Sequence, residues 1–242
     1  MTPSTLAAAP CLGLIVPPRE GEVPADGGAL YGTRARFLAR GLGLGEISTR
    51  GYEEVIDRVV HLAMELKDGG AEAISLMGTS LSFFRGAAFN AELEVELRRR
   101  TGLPCTTMSH AIVRGLRALG IARVAVATAY IDEVNERLVA YLDASGFAVT
   151  AIRGLAITGV REVGAVPTAT LVELCETVYA SDPSADGILI SCGGLQTLAA
   201  IESVEARLGV AVVSSSPAGF WDLMRVAGAD SRAPGRGRLF EL

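Results

Sequence analysis

Histidine is nearly absent from this chain. Two occur in 242 residues, His61 and His110, and the four cysteines, Cys11, Cys105, Cys175 and Cys192, never stand as C-x-x-C. No metal site is expected from so sparse a set of soft ligands. A long chain with few, unpaired cysteines fits a reducing compartment, so the expected location is cytoplasmic. Positive charge is not in excess either. The net charge is −5, and without a basic stripe to neutralise phosphates a nucleic-acid partner is not expected. No run of about 18 apolar residues occurs, so no membrane span is expected. The apolar start, MTPSTLAAAPCLGLIVPP, has no basic n-region and is broken by prolines. It reads as a tail entering the first strand, not as a signal peptide. Walker, G-x-S-x-G and H-E-x-x-H motifs are missing. GLGLG (41–45) has the wrong spacing for a dinucleotide fingerprint and no evident strand before it. It reads as a mobile loop, a candidate lid carrying Leu44 and Ile47.

What is present is alternation. Seven apolar runs read as strands: 12–16, 71–76, 103–107, 123–128, 147–152, 186–191 and 210–214. Between them lie stretches of helical period. GYEEVIDRVVHLAMELKDGG sets Val55, Val59, Leu62 and Leu66 on one face, SHAIVRGLRALG starts on a capping Ser109, and IDEVNERLVAYLDASG repeats the plan with Val134, Leu138 and Tyr141. Strand–helix alternation implies parallel sheets with helices on their faces, and ligands beyond the carboxyl ends of the strands.

The chain also echoes itself. AEAISLMGTSL (71–81) matches SADGILISCGGL (184–195), so Gly78 and Cys192 hold equivalent places. GLPCTTMSHAIVRGLRALG (102–120) parallels GVAVVSSSPAGFWDLMRVAG (209–228), and LGLIVPP pairs with RVAVATAY. Two similar α/β lobes are inferred, with matching strand ends meeting in a shared cleft. Residues 1–109 with 217–242 are assigned to the first lobe and 110–216 to the second. A monomer is expected at this size.

Cys192 is the first chemical candidate. A core thiol is the plain alternative, but it follows a strand, with Gly193 and Gly194 behind it and a helical stretch beyond. A helix N-terminus nearby offers N–H donors to a functional thiol. Gly78-Thr79-Ser80 reads first as a capped turn, with a pair of hydroxyls aimed into the cleft as the functional alternative. Tyr130 follows the strand 123–128 and either covers the sheet or donates to an anion. Pro17 and Pro18 form a rigid strand exit, which also suits a flat ligand. His61, inside a helix, and His110, beside a cap, read as structural or solvent-facing.

IVPP (15–18), SLMGTSLSF (75–83), RGAAFNA (85–91), GLPCTTMS (102–109), VAVATAYIDEVNERL (124–138), GILISCGGL (187–195) and VVSSSPAGFWD (212–222) closely resemble the arylmalonate decarboxylase family of the aspartate/glutamate racemase superfamily. The resemblance runs from about residue 12 to the C-terminus. It implies an α/β fold of two similar lobes, each a mainly parallel four-stranded sheet flanked by helices, with the active site in the cleft between them. Superfamily racemases place one cysteine on each face of the substrate carbon. Here Cys192 fills one place and Gly78 the other, which departs from the racemase pattern and agrees with the decarboxylase one.

The implied substrate is a small dicarboxylate, a 2-aryl malonate, and no cofactor is implied. By resemblance, Thr79, Ser80, Tyr130 and the backbone N–H groups of Ser80, Cys192 and Gly193 hold one carboxylate. The other sits against Leu44, Ile47, Tyr52, Leu81, Val160 and Val163, with the aryl ring near Pro17 and Gly193. Val163 replaces the methionine expected there, which alters the pocket volume. A cysteine-dependent racemase or isomerase of a small diacid or amino acid is the alternative.

Overall fold

The computed structural model describes residues 9–242. The N-terminal part of the expected tail, residues 1–8, lies outside them. Eight strands are present among the described residues: β1 (Cys11–Val16), β2 (Arg36–Gly41), β3 (Ala73–Leu76), β4 (Cys105–Thr107), β5 (Arg123–Thr128), β6 (Ala148–Gly154), β7 (Gly187–Ser191) and β8 (Ala211–Ser214). The helices are α1 (Ala25–Tyr31), α2 (Thr49–Val55), α3 (Val59–Asp68), α4 (Thr79–Phe83), α5 (Ala87–Thr101), α6 (Met108–Ala118), α7 (Asp132–Ala144), α8 (Val160–Val163), α9 (Thr168–Ser181), α10 (Leu198–Leu208) and α11 (Ser215–Val226).

The strands form two parallel four-stranded sheets, ordered β2-β1-β3-β4 and β6-β5-β7-β8. The second order is the first repeated one lobe later, which is the two-lobe fold that the internal echo implies. In each sheet the chain leaves the first strand to one side and returns on the other, so the crevice opens between β1 and β3 and between β5 and β7. The inner strands β1, β3 and β7 are buried along their whole length, and β5 is exposed only at Arg123. Each buried leucine or isoleucine there contributes about 2–3 kcal/mol.

Strand β2 escapes the sequence reading. Its RFLARG carries Arg36 and Arg40 and is only half-buried, because it is the outer edge of its sheet. Charged edge strands resist pairing with other chains, but they also lose the apolar signature of a strand. The strand leads directly into GLGLG, correcting the reading that none precedes it. The expected single helix over 51–70 is α2 and α3 separated by a short 3-10 turn, Ile56–Arg58. The cap of helix α6 lies two residues earlier than expected. Thr107 caps it by accepting the His110 N–H at 3.2 Å, and Ser109 has another partner. No described helix is long and apolar enough to cross a membrane.

Helices α6 and α11 pack against each other and also touch β4 and β8, so they join the two sheets. An ionic network centred on the buried Glu94 and Asp222 stiffens this seam. Glu94 is paired with His110, Arg98 and Arg114, and Arg114 reaches Asp222 at 2.6 Å. Asp222 also accepts from Thr106 Oγ1 at 2.5 Å. Removing one member of such a set leaves a buried charge uncompensated. His110 is thus a structural partner, and His61 is exposed beside Glu65 on α3.

Candidate active site

Four strand ends meet in one cleft of about 1080 Å³. β1 delivers Pro17 and Pro18, β3 delivers Gly78, Thr79 and Ser80, and β7 delivers Cys192 and Gly193. Leu44 and Ile47 come from the segment after β2, and Val160 and Val163 from α8. Three of the expected residues do not line the cleft. Tyr130, Tyr52 and Leu81 are buried immediately behind it, at 1%, 0% and 0% exposure. A shallower hollow of about 480 Å³ lies away from the thiol, along β6 and α9.

The GLGLG segment lies folded over the cleft and is pinned. Leu42 N–H donates to Val16 O at 2.8 Å, Leu44 N–H to Pro17 O at 2.8 Å, and Ile47 N–H to Thr158 O of the other lobe at 2.9 Å. A single antiparallel bridge joins Glu46 to Gly159. Its apolar residues, Leu44 and Ile47, face inward and are buried. At the mouth, Arg161 forms an ion pair with Glu20 at 2.8 Å. The segment after β6 reaches this position through Ala156, whose φ of 56° is left-handed and costs a non-glycine residue about 1–2 kcal/mol. Its N–H donates to Tyr130 O at 3.2 Å.

Around the thiol the polar groups come from both lobes. Ser191 Oγ lies 3.5 Å from the Tyr130 hydroxyl, which also interacts with Thr79 of the first lobe and with the Cys192 sulfur. Thr79 Oγ1 donates to Met108 Sδ at 2.8 Å. Ser109 Oγ donates to Thr79 O at 3.0 Å and meets Ser82 Oγ at 2.6 Å, fixing the loop from below. The Tyr52 hydroxyl is buried without a hydrogen bond of full geometry, and burial pushes its pKa well above the ordinary value despite the nearness of Ser80. Gly193 leaves little room for a side chain: a Cβ there would come within 2.9 Å of Met108 Sδ and 3.3 Å of Met77 O.

Two expectations about Cys192 need correction. Its backbone N–H, counted among the anion donors, is donated to Ser215 Oγ at 3.1 Å. Helix α10 starts only at Leu198, so the N–H groups near the sulfur are those of the loop residues Gly194 and Leu195, the latter donating to Cys192 O at 3.2 Å. Those donors and Tyr130 do favour the thiolate. Burial outweighs them, and the thiol is pushed up from 9.0 to about 11. It is therefore protonated at neutral pH. Burial likewise raises Tyr130 well above its ordinary value, so its hydroxyl is a neutral donor. The remaining cysteines, Cys11, Cys105 and Cys175, are buried and unpaired by disulfides. No cluster of metal-ligating side chains occurs among the described residues.

Sequence reasoning missed Met77, Asp26, Arg19, Arg161 and Gln196, all of which line the cleft, and Met108, which packs beneath Gly193. The two methionines were hidden as ordinary core residues. The others lie in loops or at a helix start, where no periodicity marks them.

The arylmalonate decarboxylase family model matches residues 12–240. The chain belongs to the arylmalonate decarboxylase family. It is 59% identical over 236 residues to the arylmalonate decarboxylase of Bordetella bronchiseptica, covering 97% of this chain and 98% of that one. A crystal structure of a liganded glycine-to-cysteine, cysteine-to-serine double variant of arylmalonate decarboxylase superposes with a TM-score of 0.94 at 58% identity, covering 96% and 99% of the two chains. More distantly, a maleate isomerase of Nocardia farcinica is 28% identical over 238 residues, with 94% of each chain covered.

Proposed function

We propose that this protein is a carboxy-lyase that decarboxylates 2-aryl malonates to chiral monoacids without a cofactor. The observation that carries the reading is the asymmetry of the two matching loops. One lobe brings Cys192 to the cleft, and the equivalent loop of the other brings Gly78. A proton donor thus stands on one face of the substrate carbon and nothing titratable stands at the matching place opposite.

One carboxylate is held by Ser80, by Thr79 once its hydroxyl hydrogen turns from Met108 Sδ to the anion, and by the N–H groups of Ser80 and Gly193, with Tyr130 supporting Thr79 from behind. The Gly193 N–H donates to no protein group among the described residues. The other carboxylate faces Leu44, Ile47, Val160 and Val163, with Tyr52 and Leu81 behind them. An ionised carboxylate is poorly solvated against such a wall and neutral CO₂ is not, so C–C cleavage relieves the mismatch. The bonding pair moves onto the retained carboxylate and gives a planar enediolate. Each prearranged donor stabilises its charge by about 3 kcal/mol. The Cys192 S–H bond then breaks as the enediolate pair forms the new C–H bond on that face. Solvent returns a proton to the thiolate before the next turnover. A thiol raised by burial is the protonated acid that this step needs.

Incubation with phenylmalonate and no cofactor tests the reading. Release of CO₂ and phenylacetate supports it, and a protein that binds phenylmalonate without turnover overturns it. The second reading, a cysteine-dependent isomerase or racemase of a small diacid, draws support from the maleate isomerase similarity. Turnover of maleate without turnover of phenylmalonate would favour it.

A further inference from the structure

The hydroxyl beneath the thiol loop has no role in the chemistry just described. We propose that Ser215 is a positioning residue, holding the Cys192 peptide so that the thiol faces the substrate from one fixed side. The proposal rests on the decarboxylase reading for its main assay.

Ser215 is the first residue of α11 and is fully buried. Its Oγ accepts the Cys192 N–H at 3.1 Å. One residue earlier, Ser214 Oγ meets Thr197 Oγ1 at 2.7 Å, and Thr197 is the residue before α10. The segment from Cys192 to Thr197 is therefore tied at both ends to the β8–α11 junction. That junction is itself anchored. Gly27 of α1 lies so close to Phe220 of α11 that a Cβ there would approach the ring to 2.5 Å, and the buried Asp26 lies near Ser216, whose Oγ makes no hydrogen bond of full geometry.

The first lobe repeats the device. Ser109, one residue into α6, donates to Thr79 O, so a hydroxyl at the start of the helix after the fourth strand holds the loop after the third strand in each lobe. The polarity differs: Ser109 grips a carbonyl and Ser215 grips an N–H. In the second lobe the gripped residue is the proposed acid itself, followed by two glycines that impose no side-chain restraint of their own. Without the hydroxyl, the buried Cys192 N–H loses its partner and must find another. The loop then shifts, the thiol leaves its angle of attack, and the enediolate waits for a solvent proton on either face.

The test compares wild type with Ser215→Ala, Ser215→Cys and Ser215→Thr on 2-methyl-2-phenylmalonate, reading kcat, KM, product enantiomeric excess and Tm. Ser215→Ala is expected to lower kcat about tenfold with KM within about twofold, and to lower the enantiomeric excess. Ser215→Thr, which keeps an oxygen acceptor, restores both. Ser215→Cys keeps the size with a weaker acceptor, and stands in if the alanine variant does not fold. A fall in Tm with unchanged kcat and enantiomeric excess is the signature of a merely structural hydroxyl and overturns the proposal. Iodoacetamide labelling of Cys192, followed by peptide mass spectrometry across pH, needs no substrate. A midpoint displaced in Ser215→Ala but not in Ser215→Thr supports the positioning role even if wild type fails to decarboxylate, an outcome that would sink only the decarboxylase reading. Identical midpoints in all variants overturn it.

Discussion

Gly78→Cys probes the one-sidedness of the cleft, and its consequences can be worked out from the geometry. The backbone at Gly78 has φ −128° and ψ 101°, extended values that any residue adopts. The space is tighter. A Cβ there would come within 2.6 Å of Leu81 Cδ1 and 3.1 Å of Leu81 Cβ. The first contact is with the end of a flexible side chain, which can rotate away. The second requires a shift of a few tenths of an ångström in α4. Overpacking of this kind costs about 1–3 kcal/mol. At roughly 2–4 °C per kcal/mol for a chain of this size, Tm falls by about 2–12 °C. The variant still folds, and it now carries a thiol on each face of the cleft. It should exchange the α-proton of a 2-arylpropionate with deuterium from solvent and lower the enantiomeric excess of the decarboxylation product. Deuterium incorporation by NMR and chiral chromatography read both effects. A folded variant that gives wild-type enantiomeric excess and no exchange would falsify the two-face account.

Because the active form of Cys192 is the thiol and burial places its pKa in the free protein at about 11, kcat/KM should stay flat through pH 9 and fall only as pH approaches that value. A decline centred near the ordinary thiol range would contradict the burial argument. Thr79→Ala removes a proposed anion donor and should lower kcat by about 10²–10³-fold, measured by CO₂ release, with Tyr130→Phe giving a smaller loss because that hydroxyl stands behind the cleft. Phe220→Ala opens a cavity between Gly27 and Phe37, whose ring lies 5.2 Å away. At about 3–5 kcal/mol it should lower Tm by roughly 6–20 °C in a thermal melt, and a change of under about 2 °C would refute the packing account.

The sheets were legible in the sequence wherever both faces are buried, because continuous apolar runs such as GILIS and VAVAT leave little else to be. The edge strand β2 was not, since its arginines face solvent at the sheet boundary. Helix boundaries failed where hydroxyl residues compete. Thr107 caps α6 and Ser109 instead holds the first-lobe loop, and either residue type suits either task. At the site, the strand-end residues were legible as a consequence of parallel topology, and the resemblance added the apolar wall. Depth was not legible. Tyr130, Tyr52 and Leu81 sit one layer behind the cleft surface, and the Cys192 N–H is engaged by Ser215. The pKa direction was also hidden. Counting donors around the thiol points to a lowered value, and only three-dimensional burial reverses the sign.

The central claim is that Cys192 delivers the product's proton from one side. Decarboxylation of 2-methyl-2-phenylmalonate by wild type and by Cys192→Ala, with turnover and enantiomeric excess measured together, tests it most directly. The account predicts a single dominant enantiomer from wild type and a loss of nearly all turnover in the variant. Substantial turnover by Cys192→Ala with undiminished enantiomeric excess would contradict it.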